Sequence, residues 1–321
     1  MNQLQTSEIL RLLAGVAGTW LGAELLVRGS VRLAISLGLR PLLVGLTVVA
    51  FGTSSPEAVV SFVAAARDSA GIAVGNVIGS NIANIGLILG LVSLVHPMRV
   101  QWPQIRRDAL YMLAATVVAA IVIRYSLVSV WAGIVLVLIL VASITMAVRS
   151  PGPQASEPEA DTEDADEVGY DLRTAALATL QSVIGLVLLL LSARLLVLSA
   201  EVIARAFGIE EAVIGATVVA VGTSIPELAA SLVAVMRGHY DIGIGNLVGS
   251  NLMNLSFVFG AICIFRPDTA LPTDAGSILV PVMLAFTLAF LPMLATGGRV
   301  GRREGAILLV GYLAFSWYIY Y

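Results

Sequence analysis

GLTVVAFGTSSPEAVVS at residues 45–61 returns as GATVVAVGTSIPELAAS at residues 215–231. Of these 17 positions 11 are identical, including both glycines, the VVA and the GTS-x-PE. A second pair follows: GNVIGSNIANIGLILG at 75–90 and GNLVGSNLMNLSFVFG at 245–260. The offset is 170 in both pairs, without a gap. A constant offset across two separate motifs means that a whole structural unit was duplicated. Each copy sets one glutamate, Glu57 or Glu227, inside an apolar run.

The surroundings of those runs fix the class. The chain has 321 residues, 58% of them hydrophobic and 12% charged, with a mean hydropathy of +0.95. A soluble domain carries about 25% charged residues. The composition therefore specifies an all-α integral membrane protein and excludes a soluble all-α enzyme. All 18 basic residues are arginine, a mark of genome composition rather than of mechanism. Cys263 is the single cysteine, so no disulfide or cysteine metal site forms within the chain. The first apolar run lacks a basic leader and an A-x-A cleavage pattern, and is expected to be a retained span.

A bilayer crossing needs about 20 apolar residues. Runs of that kind fall near 9–27, 41–66, 72–95, 108–124, 128–148, 174–197, 210–236, 242–265, 276–296 and 304–321. The expected architecture is ten transmembrane helices, five per repeat. An odd number sends the second copy into the membrane from the opposite side, so the repeats have inverted topology. The domains are 1–149, the first five-helix repeat; 150–171, a linker; and 172–321, the second repeat. The linker holds three prolines and eight acids and reads as a solvated segment. It lacks the glycine-centred spacing of a calcium-binding EF-hand loop. Alternate loops share the arginines 12 to 6. The richer set is Arg28, Arg32, Arg40, Arg99, Arg106, Arg107, Arg149, Arg173, Arg237, Arg299, Arg302 and Arg303. Positive-inside bias makes that side cytoplasmic, with the linker on it and both termini outside.

A charged side chain at mid-bilayer costs roughly 2.5–3.5 kcal/mol even on insertion scales. Two at matching positions point to function. Glu24, near Arg28 at i+4, reads instead as an interfacial ion pair. Ala50, Thr53, Ser54 and Glu57 are spaced i, i+3, i+4, i+7 and so share one helix face, as do Ala220, Thr223, Ser224 and Glu227. Pro56 and Pro226 lack an N–H, which frees the carbonyls of Gly52 and Gly222. Such broken helices are tolerated where they line a cavity. The second motif adds Ser80 and Asn84, Ser250 and Asn254, each pair at i, i+4. Gly75, Gly79, Gly86, Gly245 and Gly249 permit close helix approach. The result is an all-oxygen ligand set suited to Ca²⁺ and Na⁺. Glu57 and Glu227 supply charge −2, which one Ca²⁺ neutralises. If monovalent ions load the same carboxylates, binding is mutually exclusive, and a site open to one side at a time then exchanges them.

At these residues the sequence resembles the sodium/calcium exchanger family of the cation/calcium antiporter superfamily, as a prokaryotic-type member. The motifs GTSSPE, GTSIPE, GNVIGSNIAN and GNLVGSNLMN carry the likeness. It implies a midplane site with calcium ligands at Glu57, Glu227 and the carbonyls of Thr53 and Thr223. Sodium ligands fall on the carbonyls of Ala50 and Ala220 and on Ser54, Ser224, Ser80 and Ser250. Asn84 and Asn254 flank the centre. The first and sixth spans are the implied moving parts. Several Na⁺ per Ca²⁺ are implied, hence electrogenic transport. Potassium-dependent relatives resemble a form with Asp at one asparagine position; both are Asn here, so K⁺ independence is expected. No large cytoplasmic domain of the kind found in eukaryotic relatives separates the repeats. The expected setting is the plasma membrane, with Ca²⁺, Na⁺ and the lipid bilayer as partners, and neither a resident cofactor, nucleic acid nor an obligate protein partner.

Three alternatives follow from the same residues. The glutamates can load protons, giving H⁺/Ca²⁺ exchange, but protons need no hydroxyl and carbonyl set. A protease using Ser54 or Ser224 lacks partners: His96 and His239 fall at loop positions and no aspartate is expected within a span. A channel with a carboxylate ring fits paired broken helices less well than alternating access does.

Overall fold

In the computed structural model the chain is helical nearly throughout, and the structure describes residues 2–149, 172–207, 222–267, 271, 275–296 and 298–320. The expected linker at 150–171 and Ala220 lie outside the described residues. The first half runs α1 (Asn2–Ser36), α2 (Pro41–Thr53), α3 (Ser55–Ala66), α4 (Ala70–Val95), α5 (Trp102–Arg124) and α6 (Val130–Arg149). The second runs α7 (Leu172–Ala206), α8 (Ile225–Met236), α9 (Tyr240–Phe265), α10 (Gly276–Ala295) and α11 (Arg302–Tyr320). Of the described helices α1, α4, α6, α7, α9 and α10 are long and apolar enough to cross a membrane, and α2 with α3 forms a seventh if the bent pair is one span. α8 is apolar but only 12 residues long; α5 carries Arg106, Arg107 and Asp108 and α11 opens on Arg302, Arg303 and Glu304.

Burial ranks the helices. In α4 and α9, 83% and 89% of the most apolar window is buried, against 28–33% in α1, α6, α7 and α10. The two helices carrying the GN-x-x-GSN motifs are therefore the central rods. The main apolar core forms around them, with Ile78, Ile82, Ile85 and Ile88 from α4, Leu247, Val248 and Phe259 from α9, and Met112 from α5. Gly245 and Gly249 bring α9 against the backbone of α2 at Leu42, Gly45 and Leu46. Gly86 likewise sits against Tyr312 and Phe286. A Cβ placed at Gly75 or Gly79 would meet nothing among the described residues, so close approach is borne out for only part of the expected set.

α1 and α7, each 35 residues long, pack along small-residue faces. Gly15, Gly18, Gly22 and Gly29 of α1 meet Leu196, Ser192, Leu189 and Ser182 of α7, and Gly185 of α7 meets Leu25 and Leu26. Lipid is as apolar as leucine, so two helices gain from meeting only where small residues allow backbone contact. These are the first and sixth expected spans, and both extend well beyond their sequence-derived bounds of 9–27 and 174–197.

Two departures concern polar residues. A two-residue ribbon, β1 (Met98–Arg99) with β2 (Arg299–Val300), interrupts the all-α plan. It joins two loops of the arginine-rich group. So do Arg302, donating to the Leu94 carbonyl, and Arg40, donating to the Ala147 carbonyl. Second, α5 begins at residue 102 rather than 108, which puts Asp108 inside the helix and fully buried. Asp241 likewise stands in the first turn of α9, inside a candidate span, which corrects the expectation that no aspartate lies within one. Trp102-Pro103 starts α5 early, proline being well placed in a first turn. Asp108 lies 3.8 Å from Arg107 and within electrostatic reach of Arg40. His96 ends α4 and His239 precedes α9, as the sequence places them.

Gly22→Val would drive its side chain into the backbone of Leu189. Overpacking of this kind costs about 1–3 kcal/mol. The variant is expected to melt several degrees below the parent in detergent by fluorescence-detected chromatography, whereas Gly311→Ala, whose nearest new contact is 3.4 Å from Phe286, should melt with it.

Candidate functional site

The repeated proline breaks each motif helix at the same residue. Ser54 has φ −83°, ψ 4°, and Ser224 has φ −92°, ψ 3°, both outside the helical region. In the first repeat the bend is 49°. The four residues from Ala50 to Glu57 are thus not on one straight face, as their spacing alone predicts. The break turns Glu57 into the first turn of α3, and Glu227 into the first turn of α8. A helix N-terminus favours negative charge.

Ser-x-x-Glu at a helix start normally closes a reciprocal capping box. Neither copy does so, since no side chain of Ser54 or Ser224 caps its helix. Instead the Ser54 hydroxyl donates across the repeat boundary to Glu227 Oε1 at 3.1 Å. Glu57 is 2% exposed and Glu227 1%, and the two carboxylates are near enough to repel each other. Both oxygens of Glu57, the second oxygen of Glu227, the Ser250 hydroxyl and both amide atoms of Asn254 are buried without a hydrogen-bond partner. A buried polar atom without a partner costs on the order of 1–3 kcal/mol, more when charged. Among the described residues no three acidic, histidine or cysteine groups cluster; the donors are one carboxylate pair and neutral oxygens. That set is chemically suited to a hard cation.

The remaining expected residues are accounted for individually. Ala50, Thr53, Ser54, Ser80, Asn84, Ser224, Ser250 and Asn254 are all buried, and Thr223 is half-buried. The Ala50 carbonyl accepts from the Ser54 N–H at 3.0 Å and from the Thr53 hydroxyl at 3.5 Å. The Ser80 hydroxyl donates to the Asn76 carbonyl at 2.7 Å. Asn84 donates to Asn251 Oδ1 at 3.0 Å. The Gly52 carbonyl freed by Pro56 is taken by the Ser55 hydroxyl, a local serine back-bond. Position 225 is isoleucine, so the second repeat has no such hydroxyl. Glu24 does pair with Arg28 at 2.7 Å, and Arg237 joins it at 2.6 Å.

Asn76 and Asn246 were missed. Asn76 Nδ2 donates to the Glu57 carbonyl at 3.0 Å and to Ser61 Oγ at 2.8 Å. Asn246 Nδ2 donates to the Glu227 carbonyl at 3.4 Å and to Ser231 Oγ at 2.9 Å. The clamp repeats at an offset of 170 on all three partners. The signal was present, since both asparagines stand in the GN of the second motif and both serines close the first. Only the separation of 19 residues between clamp and glutamate hid the contact.

The family profile described as sodium/calcium exchanger protein matches residues 7–149 and 177–321. The chain belongs to this family. Inner membrane protein YrbG of Escherichia coli (strain K12) is similar at 34% identity over 313 residues, which cover 97% of this chain and 96% of YrbG. Sodium/calcium exchanger MaX1 of Methanosarcina acetivorans is 29% identical over 355 residues, covering 98% of this chain and 99% of MaX1. Among solved structures, the sodium-calcium exchanger NCX_Mj soaked with 10 mM Na⁺ and zero Ca²⁺ matches with a TM-score of 0.81 at 29% identity, covering 97% of this chain and 98% of that one. This family member is thus a multi-pass membrane protein whose fold is that of NCX_Mj.

Ser54→Ala removes the hydroxyl that donates to the other repeat's carboxylate. Hydrogen bonds to charged groups contribute roughly 1.5–3 kcal/mol, about tenfold to a hundredfold in affinity. Calorimetric Ca²⁺ binding to the purified variant is expected to weaken by at least the lower figure.

Proposed function

We propose that the chain exchanges Na⁺ for Ca²⁺ across the plasma membrane by alternating access at a midplane site between Glu57 and Glu227. The observation that carries this reading is the buried carboxylate pair, one from each helix break, in which a single oxygen of four accepts a side-chain hydrogen bond. Charge −2 in a low-dielectric site demands an equal positive load. One Ca²⁺ supplies it. Two Na⁺ at the same carboxylates supply it equally, so the loads compete. Neutral oxygens at Ser54, Ser80, Ser224, Ser250 and the Ala50, Thr53 and Thr223 carbonyls extend the ligand shell without adding charge. With Ala220, they complete the proposed ion set. More than two Na⁺ per Ca²⁺ makes the cycle electrogenic. Asn84 and Asn254 in place of an acid keep the charge at −2, so no K⁺ is needed.

In this reading ten spans form two inverted five-helix repeats. Both termini face outward, and residues 150–171 connect the repeats on the cytoplasmic side. Grouping of the arginine-rich loops by the 98–99 and 299–300 ribbon supports that sidedness. Proton-coupled Ca²⁺ exchange is the second reading, favoured by the carboxylate oxygens that accept no hydrogen bond. The hydroxyl and carbonyl set at the breaks favours sodium.

Reconstituted vesicles separate the two. An outward Na⁺ gradient at equal pH is expected to drive Ca²⁺ uptake; uptake that follows a pH gradient and ignores Na⁺ sinks the sodium reading. Glu57→Gln and Glu227→Gln should each lower this uptake by tenfold or more while the protein still inserts and elutes as a single species. K⁺ should have no effect on the native protein, and Asn254→Asp should gain K⁺-stimulated uptake.

A further inference from the structure

The side chains that hold Glu227 come from both repeats. Its carboxylate takes the Ser54 hydroxyl at 3.1 Å, and its backbone carbonyl takes Asn246 Nδ2 at 3.4 Å. Asn246 is itself fully buried. A carbonyl can only accept, so the amide group of Asn246 must face Glu227, and this fixes its orientation. Asn246 Oδ1 is then left facing the first repeat, where Thr53 Oγ1 donates to it at 3.1 Å. Thr53 and Ser54 are consecutive residues at the break of the α2–α3 pair. The break of one repeat therefore grips the other repeat's glutamate twice, directly at the carboxylate and through Asn246 at the backbone.

We propose that the Thr53 hydroxyl and the Asn246 side chain form a strut between the repeats, with Asn246 as a positioning residue that sets Glu227 relative to the Thr53–Ser54 break. This role is separate from the Thr53 carbonyl, which the family likeness assigns to calcium. The strut rests on Glu227 being an ion ligand, and so deepens the reading of the site given above. Ser54 presents its hydroxyl to Glu227 only while the two breaks keep their spacing. The strut is the polar contact next to it that fixes this spacing. Losing it lets Glu227 shift against the break, which weakens cation binding before it affects the rate of a loaded carrier.

The test uses full-length protein and Ca²⁺ itself. Thr53→Val keeps the shape and the backbone carbonyl but removes the donor; Thr53→Ser restores the donor. Thr53→Val is expected to raise the Ca²⁺ Kd by calorimetry, and the KM of Na⁺-driven uptake, about threefold to tenfold, as loss of one buried hydrogen bond predicts. Thr53→Ser should recover most of the affinity. With Asn246→Ala as background, Thr53→Val should add little, because its acceptor is gone. Unchanged affinity in Thr53→Val, a Thr53→Ser variant as weak as Thr53→Val, or additive effects with Asn246→Ala would each overturn the strut. If Asn246→Ala does not fold, the Val and Ser pair decides alone. Wild-type Ca²⁺ binding with uptake that ignores Na⁺ overturns the exchange reading instead, and the binding comparison still decides the strut.

Discussion

Two like charges held inside a membrane protein repel each other and have lost their water. That constraint organises the rest of the molecule. Glu57 and Glu227 are each almost wholly buried, and among the described residues three of their four carboxylate oxygens have no hydrogen-bond partner. The protein offers a helix N-terminus behind each carboxylate and, at Glu227, the Ser54 hydroxyl. In the proposed reading, partial compensation of this kind leaves the pair in need of a mobile cation. A permanent salt bridge, such as that of Glu24 with Arg28 and Arg237, would satisfy the charge and end the transport.

The helix breaks make such compensation available. A continuous helix would consume its own N–H groups and offer none at mid-membrane. Pro56 ends one helical segment and starts another, and Pro226 likewise stands in the first turn of α8, so each glutamate sits at an N-terminus in the interior. Serine and glutamate at the new start would ordinarily satisfy each other in a capping box. Here Ser54 turns to the opposite repeat, and the carboxylates turn to the site. The capping interaction is given up, and in the proposed reading this leaves both side chains available to ions.

The two breaks are alike in sequence but differ at one hydroxyl: the Gly52 carbonyl is covered by Ser55 where the second repeat has Ile225. In the described residues α9 presses its glycines against the α2 backbone. Around this stands the α1–α7 pair, which packs on the motif helices through Leu26, Val27 and Val31 against Val49, Ala230 and Val233, and through Leu186 against Gly52 and Val197 against Gly222. Smooth glycine and serine contact between those two long helices gives them cohesion with each other.

Much of this was legible in the chain itself. The offset of 170 fixed the duplication, the composition fixed the membrane, and the paired glutamates with their Ser, Thr and Asn neighbours fixed the site's chemistry. Those signals are local or periodic, and a residue's type and spacing suffice to read them. What the tertiary structure alone decided is which groups meet across the repeats. Spacing along a helix could not foresee that Ser54 would bond Glu227, that Asn246 would join Thr53 to the Glu227 backbone, or that Asp108 would be buried near Arg107 and Arg40. The contacts between repeats span many residues, and each of these placements depends on where a 49° bend or an early helix start sends the chain. Periodicity carries information about one helix's own face, whereas the partner on the facing helix is chosen by packing.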